Sequence, residues 1–257
     1  MDIDLPKNKL SDKETSRYAR HLLLKDIGEQ GQLKLKNATV LIVGLGGLGS
    51  PAALYLAAAG VGKLIVLDGD KVETSNLQRQ IMYKANHVGA SKAQSTQKSL
   101  YGLNSLVEVE AINSFADEQN IANLVAKADV VLDCTDNFST RHLVNKTCFE
   151  HKTLLISGAA IRGEGQLMVF DFQNEANAPC YNCVFPQSQE EPVLNCANAG
   201  VFGPVLGIIG SMQALEAIKF IVGKPLTCAG KLQLFDGMSL QWQSFVMSKS
   251  GECGVCG

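Results

Sequence analysis

The chain has 257 residues, 46% of them hydrophobic, enough to bury a sizeable core as one large α/β domain or as one domain with an appendage. A formal charge of −2 excludes a general electrostatic hold on nucleic acid or on an anionic membrane, while leaving local basic sites open. The opening MDIDLPKNKLSDKE is acidic and polar where a signal peptide is basic and then apolar, so a soluble cytoplasmic protein is expected.

In chain order, Ser11 and Glu14 form an S-x-x-E capping box before a helical pattern that runs to about Gly28. ATVLIV, Ala38 to Val43, reads as a buried strand, Gly44 to Gly49 as a turn, and Ser50 to Gly60 as a core helix with Pro51 in its first turn. KLIVLD is a second strand, 63–68. The polar, irregular stretch from Gly69 to His87 leads to a helix from about Ser91 to Leu103. A strand at Val107 to Ile112, a helix near Asp117 to Lys127, a strand ending at Cys134, a helix from Asn137 to His151 and the strand TLLISG follow. This alternation predicts a Rossmann-like, doubly wound, largely parallel sheet.

After Gly158 the pattern changes. GQLMVFDF is a strand with no crossover helix, and Gln173 to Gly200 is a loop rich in Pro, Asn and Gln. A long helix comes next; its apolar run, Val201 to Val222, holds Glu216, Lys219 and several glycines, the mark of a buried helix rather than a membrane span. KLQLFD and LQWQSFVM, joined by Gly-Met-Ser, then extend the sheet antiparallel. The chain reads as one domain in three stretches: a helical arm (1–30), a nucleotide-binding half (38–158) and a second half (159–257).

The turn Gly44-Leu-Gly46-Gly47-Leu-Gly49 fits G-x-G-x-x-G between a strand and a helix, where backbone N–H groups can approach phosphate. Asp68, at the end of the next strand, stands where an acid binds ribose hydroxyls and repels a 2′-phosphate, which disfavours NADP. Asp70, Ser75-Asn76-Leu77-Gln78-Arg79, Lys92 and the run Asp133-Cys134-Thr135-Asp136-Asn137 reach the same carboxyl edge of the sheet. Taken singly these are solvated loop charges and a helix cap. Together, an acid beside two cations at a phosphate site suits Mg²⁺ with a triphosphate, and a nicotinamide-dependent oxidoreductase has less use for such charge.

Of eight cysteines, four make two C-x-x-C pairs, Cys180 with Cys183 and Cys253 with Cys256, while Cys134, Cys148, Cys196 and Cys228 are single. Two such pairs suit a structural Cys₄ zinc site that staples the tail to the loop; two short disulfides or a redox pair are the alternatives. None of His21, His87, His142 and His151 has a carboxylate or cysteine at ligand spacing, and Trp242 belongs to the terminal sheet.

The ordered set Arg17-Tyr18-Ala19-Arg20, VLIVGLGGLG, LDGD, SNLQRQ, Lys92, DCTDN, SGAAIRGEGQ, NCANAGVFGPVLG, QALEAIK and CGVCG resembles the ThiF/MoeB/HesA adenylyltransferases, relatives of ubiquitin-activating enzymes, over nearly the whole chain. That resemblance implies a homodimer that binds ATP with Mg²⁺ and joins AMP to the C-terminal Gly-Gly carboxylate of a ubiquitin-like sulfur-carrier protein, releasing pyrophosphate. By position, Gly44, Gly46, Gly47 and Asp68 hold the nucleotide, Asn76, Arg79 and Lys92 meet phosphates, Asp136 holds Mg²⁺, and Arg20 reaches the partner subunit's site. Asp70 and Asn137 complete the expected binding set. Cys196 stands where relatives form a thioester or acyl persulfide; an ordinary loop thiol is the other reading. PAALYLAAAG, QEEPVLNC and LFDGMSLQWQSF lie closer to ThiF than to MoeB, pointing to a ThiS-like carrier of thiamin synthesis, with a MoaD-like carrier of molybdopterin synthesis as the alternative. The expected sulfur source is a separate donor protein.

Overall fold

In a computed structural model, residues 9–173, 178–187 and 199–257 are described. Eight strands form one sheet in the order β3-β2-β1-β4-β5-β6-β7-β8. The strands are β1 (Thr39–Val43), β2 (Lys63–Leu67), β3 (Glu108–Ile112), β4 (Val130–Asp133), β5 (Leu154–Ile161), β6 (Glu164–Phe170), β7 (Lys231–Asp236) and β8 (Gln241–Val246). β3 to β5 are parallel and β6 to β8 antiparallel, as the two-part pattern of the sequence predicts.

The helices are α1 (Asp12–Arg17), α2 (Ala19–Leu22), α3 (Gly28–Asn37), α4 (Gly49–Ala59), α5 (Lys92–Leu103), α6 (Ile121–Val125), α7 (Phe138–His151), α8 (Tyr181–Val184) and α9 (Gly203–Val222). Successive strand side chains point to opposite faces, so a strand covered on both faces must be apolar throughout. Val40 and Ile42 of β1, with Leu64 and Val66 of β2, pack under α3, α4, α5 and α9. Leu41, Val43, Ile65 and Leu67 pack against α6, α7 and α8 on the other face. Each such fully buried aliphatic side chain contributes about 1.5–3 kcal/mol relative to exposure.

α9 has the length and composition of a bilayer span, yet Leu206, Ile209, Ala214 and Ala217 lie buried in the core, and Gln213 and Glu216 are buried with them. It is a core helix, as its charges imply. It starts with Pro204 in its first turn and stops at Gly223, whose φ of 82° supplies the left-handed cap.

The arm differs from one helix running to Gly28. The Ser11 capping box forms, with Glu14 N–H donating to Ser11 Oγ at 3.2 Å and Ser11 N–H to Glu14 Oε2 at 2.7 Å. The chain then breaks at Tyr18 and again before α3, a helix that the sequence pattern does not announce. Gly28 and Gly31 lower its intrinsic propensity; tertiary contacts supply the difference. Buried Gln32 donates to the Ala59 carbonyl at 2.8 Å and meets His21 Nδ1 at 2.9 Å, while Asn104 donates to the Tyr18 hydroxyl at 2.9 Å. Tyr181 begins a short helix inside the segment read as loop, and the helix expected near 117–127 narrows to α6.

Candidate functional site

The strand order reverses between β1 and β4, and ligands of open α/β sheets bind at such a switch point, beyond the carboxyl ends. There a cleft of about 840 Å³, its open mouth included, is lined by Gly44, Gly46, Gly47, Asp68, Asp70, Arg79, Lys92, Asp136 and Asn137. Nine of the expected residues thus meet in one cleft. Asn76 and Arg20 do not line it. Asn76 accepts the Glu73 N–H within a 3-10 turn, Thr74–Asn76, and Arg20 is exposed on α2. Cys196 lies outside the described residues.

The glycine turn is shaped from several sides. Gly44 has φ of 87°, and a Cβ there would come 2.9 Å from the Cys134 carbonyl oxygen, so only glycine lets β1 leave the sheet beside β4. A Cβ on Gly47 would strike Leu206 of α9, so this glycine serves the closure of α9 over the turn. No hydrogen bond among the described residues uses the N–H of Gly46 or Gly47, and the N-terminus of α4 has no side-chain cap. Gly46 and Gly47 both line the cleft, where such unused donors suit an anion.

Asp68 is buried and braces the turn: Oδ2 accepts the Leu45 N–H at 2.7 Å and Oδ1 the Asp70 N–H at 2.8 Å. Burial pushes its carboxyl up, against the opposing pull of Lys92 and those two N–H groups. Tyr83 supports the turn from beneath, donating to the Leu45 carbonyl at 2.9 Å; burial raises its phenol. The Lys92 ammonium is buried and held 2.8 Å from Asp70 Oδ2, while Arg79 donates to the Ser75 carbonyl at 3.0 Å. Asp136 is exposed and, among the described residues, makes no hydrogen bond or ion pair, a carboxylate open to a cation.

Sequence reasoning missed Phe115, Gln80 and Arg141, which also line the cleft. Phe115 is an exposed ring lying against Gly69, and buried Gln80 leaves its Oε1 without a partner among the described residues. Arg141 sits four residues after the α7 cap Asn137; helical geometry returns that position toward the helix start, which is the signal that could have found it.

The two C-x-x-C pairs converge. All four Sγ atoms lie within 4.8 Å of one another, with Cys180 to Cys253 at 3.6 Å, Cys183 to Cys256 at 3.4 Å and Cys180 to Cys183 at 4.0 Å. A tetrahedral zinc with Zn–S of about 2.3 Å has sulfur–sulfur edges of about 3.8 Å. The residues therefore fit a metal, and all four are free thiols, so neither short disulfide is formed. The Asn182 side chain donates to Cys253 Sγ at 3.3 Å and the Ser250 N–H to Cys183 Sγ at 3.5 Å, the outer bonds that thiolate ligands need. Cys134, Cys148 and Cys228 are buried, and burial pushes the Cys228 thiol up to about 12, as suits unreactive core thiols. His142 packs edge-on to Tyr181 at 5.3 Å, and Trp242 packs at a tilt on Phe235 at 4.7 Å in the terminal sheet.

The structure is an α/β sheet with a glycine turn at its switch point beside Lys92, Arg79 and the exposed Asp136, and with a cysteine cluster that fits a metal. The chain belongs to the ThiF family, whose pattern matches residues 18–255. It is 47% identical over 248 residues to the sulfur carrier protein ThiS adenylyltransferase of Escherichia coli (strain K12), covering 96% of this chain and 97% of that one. It is 45% identical over 257 residues to adenylyltransferase and sulfurtransferase MOCS3-1 of Drosophila pseudoobscura pseudoobscura, covering 99% of this chain and 56% of that protein. The chain thus spans about half the length of several curated relatives that it matches. Among solved structures, E. coli MccB with ATP superposes with a TM-score of 0.77 at 26% identity, covering 98% of this chain and 77% of that one. E. coli MccB with MccA-N7isoASN superposes at 0.81 and 25%, covering 98% and 76%.

Proposed function

We propose that this protein adenylates the C-terminal glycine carboxylate of a ubiquitin-like sulfur-carrier protein with ATP, releasing pyrophosphate. The observation that carries the proposal is the meeting of Arg79, Lys92 and the open Asp136 carboxylate around a glycine turn with unpaired N–H donors. A carboxylate attacking an α-phosphate brings two anions together, so the reaction needs charge neutralisation and alignment more than acid–base transfer. Arg79 and Lys92 neutralise phosphate oxygens, with Asp70 holding Lys92 in place. The turn's N–H groups cradle the phosphates, Asp68 keeps the turn in shape and offers its remaining lone pairs to the ribose, and Asn137 and Asn76 brace the loops on either side. Asp136 would hold Mg²⁺, which when bound supplies the charge that draws the two anions together. The four cysteines would hold Zn²⁺ and tie the C-terminal tail to the α8 segment.

In this reading the protein acts as a homodimer, and Arg20 serves the partner's site; its exposure beside Leu23 and Leu24 on the arm, outside its own cleft, supports that role. A ThiS-like carrier is the preferred substrate because the E. coli ThiS adenylyltransferase matches end to end. A MoaD-like carrier is the second reading, favoured by the MOCS3 relatives. Sulfur would come from a separate donor, with Cys196 as the acceptor of the carrier in an adduct. The test is ATP–pyrophosphate exchange with purified ThiS-like and MoaD-like carriers, followed by carrier mass. An AMP adduct on one carrier names the substrate; exchange without any carrier, or with none, overturns the proposal.

A further inference from the structure

Among the described residues no hydrogen bond or ion pair fixes the Asp136 side chain, yet both of its neighbours are fixed. On one side the Thr135 N–H donates to Asp133 Oδ1 at 3.1 Å and its hydroxyl to the same oxygen at 2.6 Å, while Ser157 donates to Asp133 Oδ2 at 2.8 Å. On the other side Asn137 caps α7, its Oδ1 accepting the Thr140 N–H at 2.9 Å. The Thr135 carbonyl, the last peptide group before Asp136, accepts a hydrogen bond from Arg141 Nη2. A buried guanidinium is costly unless paired. No carboxylate contacts Arg141 within 4.0 Å among the described residues; Asp133 and, more weakly, Asp136 balance its charge from further off, and the bond to Thr135 is its one hydrogen bond to the loop among those residues.

Behind Arg141 stands Tyr181, packed on α7 against Phe138 and His142, with ring centroids 6.5 and 5.3 Å away; burial raises its phenol and the nearby Arg141 charge opposes that rise. Tyr181 follows Cys180 directly, is almost wholly buried, packs on Phe185 at 5.1 Å, and donates its N–H to Asn145 Oδ1 at 2.8 Å. A line of contact therefore runs from the cysteine cluster through Tyr181 to α7, whose Arg141 holds the peptide that carries Asp136.

We propose that Arg141 is the positioning residue that aims the Asp136 carboxylate into the cleft by clamping the Thr135 carbonyl, with Tyr181 as its brace from the four-cysteine lobe. The use of Asp136 rests on the Mg-ATP reading above. Pre-aiming matters because a loop carboxylate that must find its geometry on each binding event loses ordering entropy that a bracketed one has already lost.

The experiment is the binding of Mn²⁺ with ATP to the full protein, read by the free Mn²⁺ electron paramagnetic resonance signal, which needs no carrier. Outer partners of metal ligands are worth about ten- to a hundredfold in metal affinity. Arg141→Gln is expected to weaken Mn²⁺ binding about tenfold in the ATP complex, and Tyr181→Phe to weaken it about threefold, on the same scale. Arg141→Lys, which can still donate to the carbonyl, recovers part of the loss. The double variant should bind no worse than Arg141→Gln, because Tyr181 acts through Arg141. ATP binding in EDTA should stay within about twofold of wild type, on the same scale. Equal losses with and without metal would assign Arg141 to direct phosphate contact and overturn the proposal, as would unchanged Mn²⁺ affinity in a folded Arg141→Gln protein. If that variant does not fold, wild-type Mn²⁺ affinity in Tyr181→Phe overturns it. Wild-type protein that binds Mn²⁺ with ATP but shows no exchange with any carrier refutes the proposed substrate and leaves the bracket standing; wild-type protein that binds neither refutes both.

Discussion

Gln213→Met tests how the site is built from beneath. Gln213 is fully buried in the middle of α9, and its Nε2 donates to the carbonyls of Asp133 at 2.8 Å and of Ile156 at 3.0 Å. It therefore bridges the ends of β4 and β5, next to the loop that carries Asp136, and its Oε1 accepts the Cys134 S–H at 3.4 Å. Methionine keeps the length of the side chain and removes both donors. Each buried carbonyl left without its donor costs about 1–2 kcal/mol, so the loss is about 2–4 kcal/mol. At about 2.1 cal/mol/K of unfolding entropy per residue, a chain of this size loses about 2 °C of Tm per kcal/mol, so a fall of about 4–8 °C is expected. Differential scanning calorimetry measures it, with urea unfolding as the check that the m-value is unchanged. A Tm within a degree of wild type would refute the idea that this amide holds the strand ends, and would leave hydrophobic packing of α9 as their support.

Three further outcomes are expected. Arg20→Ala and Asp136→Ala should each lose carrier-AMP formation by more than about a hundredfold, the scale of removing one charge-stabilising group; mixing the two proteins through subunit exchange should restore part of the wild-type rate, and no recovery in verified mixed dimers would place Arg20 outside the partner's site. Glu14 is held below its ordinary value of 4.5, because the Ser11 N–H and hydroxyl and the Lys36 ammonium at 2.9 Å outweigh the burial that raises it. A lowered carboxylate value means stability that is present above pH 4.5 and lost as pH falls through the folded value, so the Tm gap between wild type and Glu14→Gln should be full at pH 7 and close on acidification below 4.5; a gap that widens there contradicts the assignment. Chelation should release about one zinc per chain and expose the four thiols to alkylation, and metal-free protein with thiols still protected would remove the zinc reading.

Much of the site was legible because its parts are local. G-x-G-x-x-G lies between a strand and a helix, Asp68 ends the next strand, and DCTDN follows β4, so topology alone sends them to one edge. The C-x-x-C pairs were legible for the same reason, being spaced to offer two sulfurs each. Arg141 was hidden because an arginine in a helix of mixed polarity reads as surface charge until the helix is docked; here it is buried and donates to the Thr135 carbonyl. α3 was hidden because its glycines speak against a helix, and only its contacts with Ala59, His21 and Val222 overrule them.

The order of apolar runs, turns and caps in the chain determined a parallel sheet with an antiparallel extension, since period and punctuation are properties of neighbouring residues. Only the tertiary structure decided which glycine answers to which constraint, that Gly47 makes room for Leu206, and that the cysteine pairs, more than seventy residues apart, close on one another. Those outcomes depend on distances between residues remote in sequence, which are set by packing two helical layers on one sheet and by no local propensity.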